Sequence, residues 1–163
     1  MKIQPRYQGG RQIPQLNEKE GVPYFVFPSL EETHEVIHGF SSRWGGVSCG
    51  DFSSMNFSAG RGDDPEAVLE NFTRMAAALG VDRDRMVVSW QTHTANVRLV
   101  TEEDEGKGVV RPRDYQDVDG LITNVPGITL VTLYADCVPI YLVDPVRRAI
   151  GLCHSGWRGT VQG

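Results

Sequence analysis

An α+β fold is the class this sequence predicts, and two observations predict it. The second half carries successive short runs of Val, Ile and Leu closed off by Gly, Pro and Asp, which is how strands are written. The middle carries one amphipathic helix with recognisable start and stop signals. No internal repeat or low-complexity linker interrupts the chain, so residues 1–163 read as a single domain.

Taken in order, residues 1–20 are polar, with Gly9-Gly10, Pro5 and Pro14, and read as a loose arm or a short edge strand. Val22 to Phe27 reads as a strand, and Pro23 suggests an edge position. His34 to His38 spells HExxH, the helical zinc-protease motif. Two histidines four apart share a helical face, but they share a strand face equally well. Val36-Ile37 and the following Gly39-Phe40-Ser41 favour strand, and Ser41 stands where the extended protease motif needs glycine. The strand reading is preferred.

Ser41 to Ser58 is rich in glycine and serine. Such a loop either brings backbone N–H groups to an anion or is plain surface. Arg43, near its start, offers a forked guanidinium to a phosphate or carboxylate. Asp64 then serves as N-cap, Pro65 as first helical residue, and Gly80 as the left-handed stop. Between them Val68, Leu69, Phe72, Met75, Ala76 and Leu79 form a core-facing stripe.

Met86–Trp90 and Asn96–Thr101 read as strands flanking Gln91-Thr92-His93-Thr94, and the charged segment Glu102–Tyr115 as an outward loop. Ile128–Leu133, Val138–Val143 and Ala149–Cys153 read as successive buried strands. Cys137 falls in the turn between the first two, after Asp136, and His154 ends the third, just before Ser155-Gly156. Polar groups at strand ends are where chemistry usually sits.

Composition narrows the class. An apolar fraction of 40% with 23% charged residues is that of an ordinary globular protein. A net charge of −5 provides no basic footprint for nucleic acid or an anionic membrane. The N-terminal residues lack a signal-type apolar core, and no run approaches membrane-spanning length. Three cysteines, an odd number, argue for a reducing compartment. A soluble cytoplasmic enzyme or binding domain is expected.

Several ordered blocks carry a more specific signal: FSSRWGGVSCGDFSSMNFS (Phe40 to Ser58), RGDDPEAVLENF, WQTHTANV (Trp90 to Val97), YADCVPIYLVD and CHSGWRGT. Together they resemble the YfiH-type family, also labelled laccase-domain or polyphenol oxidase proteins. The resemblance spans about Phe40 to Gly163 and implies mixed β-sheets with helices packed outside. Family members continue well past the WRGT block, so an N-terminal portion truncated at its C-terminus is expected.

The resemblance also selects a ligand set. His93, Cys137 and His154 are types zinc prefers, and three protein ligands leave a fourth position open. Spacing alone is weak evidence for the set, since lone histidines are more often surface or satisfied core residues. There is no Cys-x-x-Cys pair for a structural zinc site. Cys153 neighbours His154 on a strand, so if His154 faces the metal then Cys153 faces away, into the core. Four histidines, two of them in the HExxH segment, are too few for a multicopper cluster. No methionine follows Met86 to complete an electron-transfer copper site, so zinc is favoured over copper.

Relatives of this type are described as purine nucleoside enzymes. They phosphorolyse adenosine, inosine, guanosine and methylthioadenosine, and they deaminate adenosine. The resemblance therefore implies purine nucleosides and phosphate as partners. A zinc-activated water suits attack at C6 of adenine. Arg43, Gln91 and the glycine loop are candidate phosphate or sugar contacts; Asp119 and Asp136 are candidates for proton transfer or for orienting a histidine. Trp157-Arg158 offers a stacking surface for a base, or else a core tryptophan. Two alternatives stand beside this: a cysteine-type amide hydrolase editing cell-wall peptides, with Cys137 as nucleophile, and an inactive fragment.

Overall fold

The computed structural model describes residues 14–162, and the expected arm over residues 1–13 lies outside them. The chain divides into two compact units, residues 1–80 and 81–163.

In the first unit, β1 (Gln15–Lys19) turns at Glu20-Gly21 into β2 (Val22–Val26), and β3 (Phe40–Ser41) closes an antiparallel sheet in the order β1-β2-β3. The short edge strand expected before residue 20 is therefore β1. β2 is central rather than an edge, despite Pro23. β3 reaches only Tyr24 and Phe25, and at Pro23 the carbonyl alone is used, accepting from the Ser42 N–H at 3.2 Å. A missing N–H there interrupts no rung of β3.

After the single-turn helix α1 (Pro28–Glu31), residues 34–39 are irregular, neither protease helix nor strand. His34 adopts φ 54°, which breaks either regular form. His38 is buried, and its Nε2 accepts the Phe27 N–H at 2.8 Å. That bond makes it a loop anchor.

Helix α2 (Pro65–Leu79) has the ends its sequence announces. Asp64 accepts the Glu66 N–H, and Gly80 is left-handed at φ 75°. Its buried face holds Val68, Phe72, Met75, Ala76 and Ala78, of which Met75 and Ala78 pack with Val22, Tyr24, Val26 and Met55. One residue of that face is polar. Asn71, wholly buried, accepts the Val47 N–H and donates to Ser48 Oγ and to the carbonyls of Ser54 and Asn56. The glycine-serine loop is thus knitted onto the helix through one amide. Gly46 allows this close approach, because a Cβ there would stand 2.1 Å from the Ser54 carbonyl oxygen.

The second unit holds two sheets. β4 (Met86–Val88) pairs in parallel with β7 (Thr129–Val131). β5 (Val97–Leu99), β6 (Gly120–Thr123), β8 (Val138–Asp144) and β9 (Ala149–Ser155) form a mixed sheet ordered β5-β6-β9-β8, and helix α3 (Trp157–Gln162) follows. Val87, Val100, Tyr115, Val118, Leu121, Ile128 and Leu130 make the core. This is the α+β class with mixed sheets.

Three expectations fail here. β8 is not buried: Val138, Ile140 and Leu142 are exposed, on the same sheet face as exposed Val97, Leu99 and Ile122. Cys153 shares that face, opposite Ile140, so it turns away from His154 but not into the core. The segment Glu102–Tyr115 folds inward rather than outward, because its charges neutralise one another. Buried Asp104 accepts from Arg98 (2.8 Å), Lys107 (2.7 Å) and the Thr101 N–H, while Lys107 also reaches Asp114.

Burial of Asp104 alone would raise its pKa. Its bonds to Lys107, Arg98 and the Thr101 N–H outweigh that and hold the carboxyl at about 2, against 3.8 ordinarily. A depressed folded-state pKa contributes stability above the unfolded value that is lost as pH falls through the folded one, here about 2 kcal/mol between roughly pH 4 and 2. Asp104→Asn leaves Lys107 with exposed Asp114 as its remaining carboxylate and should lower unfolding free energy by about 2–4 kcal/mol at neutral pH, with a flatter acid limb, read by urea titration across pH.

Candidate metal centre

Three side chains from distant parts of the second unit meet. His93 lies in the turn after β4, Cys137 immediately precedes β8, and His154 is the penultimate residue of β9. One donor atom from each lies within 4.8 Å of the others, and Cys137 Sγ is 3.9 Å from His93 Nε2. The imidazole rings of His93 and His154 meet edge-on, centroids 5.0 Å apart.

Asp119 builds this arrangement. It precedes β6 and is buried, and the turn at 92–94 wraps its carboxylate. The N–H groups of Thr92, His93 and Thr94, and the Thr94 hydroxyl, all donate to it at 3.0 Å. Its Oδ1 also lies 2.8 Å from His154 Nδ1. Burial alone would raise its pKa, but the N–H groups of Thr92 and Thr94, His154 and the Thr94 hydroxyl outweigh that and lower it. An ionised Asp119 makes Nδ1 of His154 the protonated nitrogen, which leaves Nε2 with its lone pair for a cation. The same nest of N–H groups holds His93 in a left-handed conformation, φ 66°, rare for a non-glycine residue.

Enclosure falls from buried His154 through half-buried Cys137 to exposed His93. Partial burial, then the neighbouring Asp136 carboxylate 3.7 Å away, then Asp119, push its thiol pKa up. Without a cation this sulfur is a thiol at neutral pH; a bound cation is what makes it thiolate. Tyr134 stacks obliquely on His154 at 5.7 Å and donates to the Cys153 carbonyl. Burial pushes its phenol to about 12, so it stays protonated.

The donor set fits a borderline-soft cation. Bonds of 2.0–2.3 Å in a tetrahedron put donors roughly 3.4–3.8 Å apart, and Cys137 Sγ and His93 Nε2 stand 3.9 Å apart. Gly156 adds an independent sign. A Cβ there would stand 2.7 Å from His93 Cδ2, 3.3 Å from His154 Cε1 and 3.5 Å from Cys137 Sγ. The chain keeps that volume clear.

The other expected residues are placed as follows. Asp136 is exposed beside Cys137. The Gln91 amide is bonded to the Leu133 backbone. Arg43, in the first unit, is exposed and donates to the Ser53 carbonyl at 2.7 Å. Trp157 is exposed under the Arg158 guanidinium rather than in the core. Sequence reasoning missed Tyr134 and Gly156, although the strings YADC and HSG place both beside ligands.

A family model described as multi-copper polyphenol oxidoreductase laccase matches residues 37–163. The purine nucleoside phosphorylase YlmD of Geobacillus stearothermophilus is 40% identical over 132 residues, covering 78% of this chain and 47% of that protein. Its counterpart from Bacillus subtilis is 37% identical over 136 residues, covering 81% and 48%. The crystal structure of the Bacillus licheniformis hypothetical protein YfiH superposes with a TM-score of 0.79 at 33% identity, covering 89% of this chain and 53% of that one. The chain spans about half the length of these relatives.

Proposed function

The chain belongs to the family described as multi-copper polyphenol oxidoreductase laccase, and from that premise we propose that it forms the zinc-binding part of a purine nucleoside enzyme. The proposed reactions are phosphorolysis of adenosine, inosine, guanosine and methylthioadenosine, and deamination of adenosine. One observation carries the reading: the donor atoms of His93, Cys137 and His154 lie within 4.8 Å of one another, with Asp119 Oδ1 against His154 Nδ1 at 2.8 Å. The relatives' printed name, purine nucleoside phosphorylase, supports the substrate class. Two imidazoles and one thiolate favour zinc, and the absence of any methionine after Met86 weighs against an electron-transfer copper.

Zinc held by these three residues would supply Lewis acidity and bring the pKa of water toward neutrality. The chain's own residues divide the remaining work. Asp119, with five hydrogen-bond contacts, orients His93 and His154 and has no lone pair conveniently left for a travelling proton. Asp136, exposed beside Cys137, is the proposed proton carrier. In phosphorolysis a phosphate oxygen bonds to C1′ while the glycosidic C–N bond breaks, and the departing purine takes the electron pair and a proton. Arg43 is the proposed phosphate contact. Trp157-Arg158 remains a proposed stacking surface.

The test is adenosine supplied to zinc-loaded protein with and without phosphate, products separated by chromatography. Without phosphate, inosine and ammonia are expected; with it, free base and ribose 1-phosphate. Arg43→Ala should slow the phosphate-dependent step about ten- to a hundredfold, as for loss of a charge-assisted bond, and touch deamination less. Protein inert toward every purine nucleoside but able to cleave peptide amides would replace this reading with the cysteine hydrolase.

A further inference from the structure

The parallel pairing of β4 with β7 continues past the end of both strands. Its last backbone rung is the Ser89 N–H donating to the Val131 carbonyl at 3.0 Å. Two residues on, a side chain replaces the strand. Gln91 Oε1 accepts the Leu133 N–H at 2.7 Å, and Gln91 Nε2 donates to the Leu133 carbonyl at 2.5 Å. The Leu133 N–H can only donate and the Leu133 carbonyl only accept, which fixes the end of the amide that is oxygen, and the buried Ser89 hydroxyl donates to the same Oε1 at 2.8 Å. One amide thus satisfies both backbone groups of Leu133, as a neighbouring strand residue would. A single Nε2 proton is left over.

The position of this rung matters. Leu133 lies near the start of the irregular stretch, residues 132–137, that carries Cys137 up to β8 at Val138. Gln91 itself stands two residues before His93, whose turn is held by Asp119. The amide therefore brackets the segment bearing the sulfur ligand to the segment bearing a nitrogen ligand. We propose that Gln91 is a positioning residue that sets the Cys137 sulfur against His93, rather than a substrate contact. The proposal rests on the reading that His93, Cys137 and His154 hold a metal.

Cobalt(II) separates the possibilities, because a thiolate–cobalt bond has its own charge-transfer absorption. Metal-free protein and its Gln91→Met variant, of similar length but without hydrogen bonds, are titrated with cobalt(II) and followed by absorbance. Circular dichroism checks folding. The variant should bind on the order of tenfold or more weakly, as for loss of a group orienting a ligand, with less charge-transfer intensity per bound ion. Unchanged affinity and spectrum, with only KM for the nucleoside raised, would overturn the proposal in favour of a substrate contact. Should Gln91→Met fail to fold, Gln91→Glu keeps the shape but sets an oxygen against the Leu133 carbonyl. The same loss is then expected, and an unchanged cobalt spectrum overturns the proposal. A wild-type protein showing no charge-transfer band would instead sink the metal reading itself.

Discussion

Cys137→Ala should leave a folded protein that no longer retains zinc through dialysis. Structural zinc sites bind with apparent free energies of about 10–16 kcal/mol shared among four ligands, so one ligand is worth about 3–4 kcal/mol, or a few hundredfold in affinity. The sulfur is also the donor that singles out a soft cation. Its pKa in the metal-free protein lies above the ordinary value, first through burial and then through Asp136. Binding must therefore release a proton, and wild-type affinity should climb with pH through the thiol's range while the variant loses that slope. Cys153→Ala is the control: its side chain shares the sheet face of exposed Ile140, away from His154. A second control is His34→Gln with His38→Gln, since His38 serves the Phe27 N–H and His34 lies in an irregular segment. Both should keep their metal, measured by atomic emission after dialysis. Equal loss in the Cys137 and Cys153 variants would remove Cys137 as the sulfur ligand.

Local signals were the readable ones. Helix α2 begins and ends where Asp64, Pro65 and Gly80 place it, because capping involves only neighbours in sequence. The core strands follow their Val, Ile and Leu runs, and the three donors that meet are the three selected by motif resemblance. What was illegible depends on partners remote in sequence. Pro23 pointed to an edge, yet β2 pairs on both sides, and Pro23 is tolerated because β3 reaches only Tyr24 and Phe25. The charges of Glu102–Tyr115 spelled a surface loop, and only the pairing of Asp104 with Arg98 and Lys107 makes them a buried network. Periodicity marked Val138, Ile140 and Leu142 as strand residues but not which side of the sheet meets the core. Asn71 sat unnoticed in an apolar stripe, since its four partners lie 15 to 24 residues upstream.

Gly156→Ala should damage the metal centre as severely as the loss of a ligand-orienting group, at least about tenfold to a hundredfold in zinc affinity. The backbone gives no reason for glycine at this position: Gly156 is not among the residues with positive φ, so alanine meets no conformational strain there. The reason is space. The added methyl would stand 2.7 Å from His93 Cδ2, closer than carbon atoms approach without displacement, and 3.5 Å from Cys137 Sγ. Of these neighbours, His154 is tied through Nδ1 to Asp119, which is tied in turn to three N–H groups of the 92–94 turn. The His93 ring is the one that must rotate away, and its Nε2 leaves the donor triangle as it goes. Metal-free Gly156→Ala should melt within a few degrees of metal-free wild type, because the methyl intrudes on the donors rather than on the core cluster. Zinc should stabilise wild type strongly and the variant little, by the linkage between binding and folding. Equal stabilisation of both by zinc would show that the metal, if it binds, does so away from these three residues.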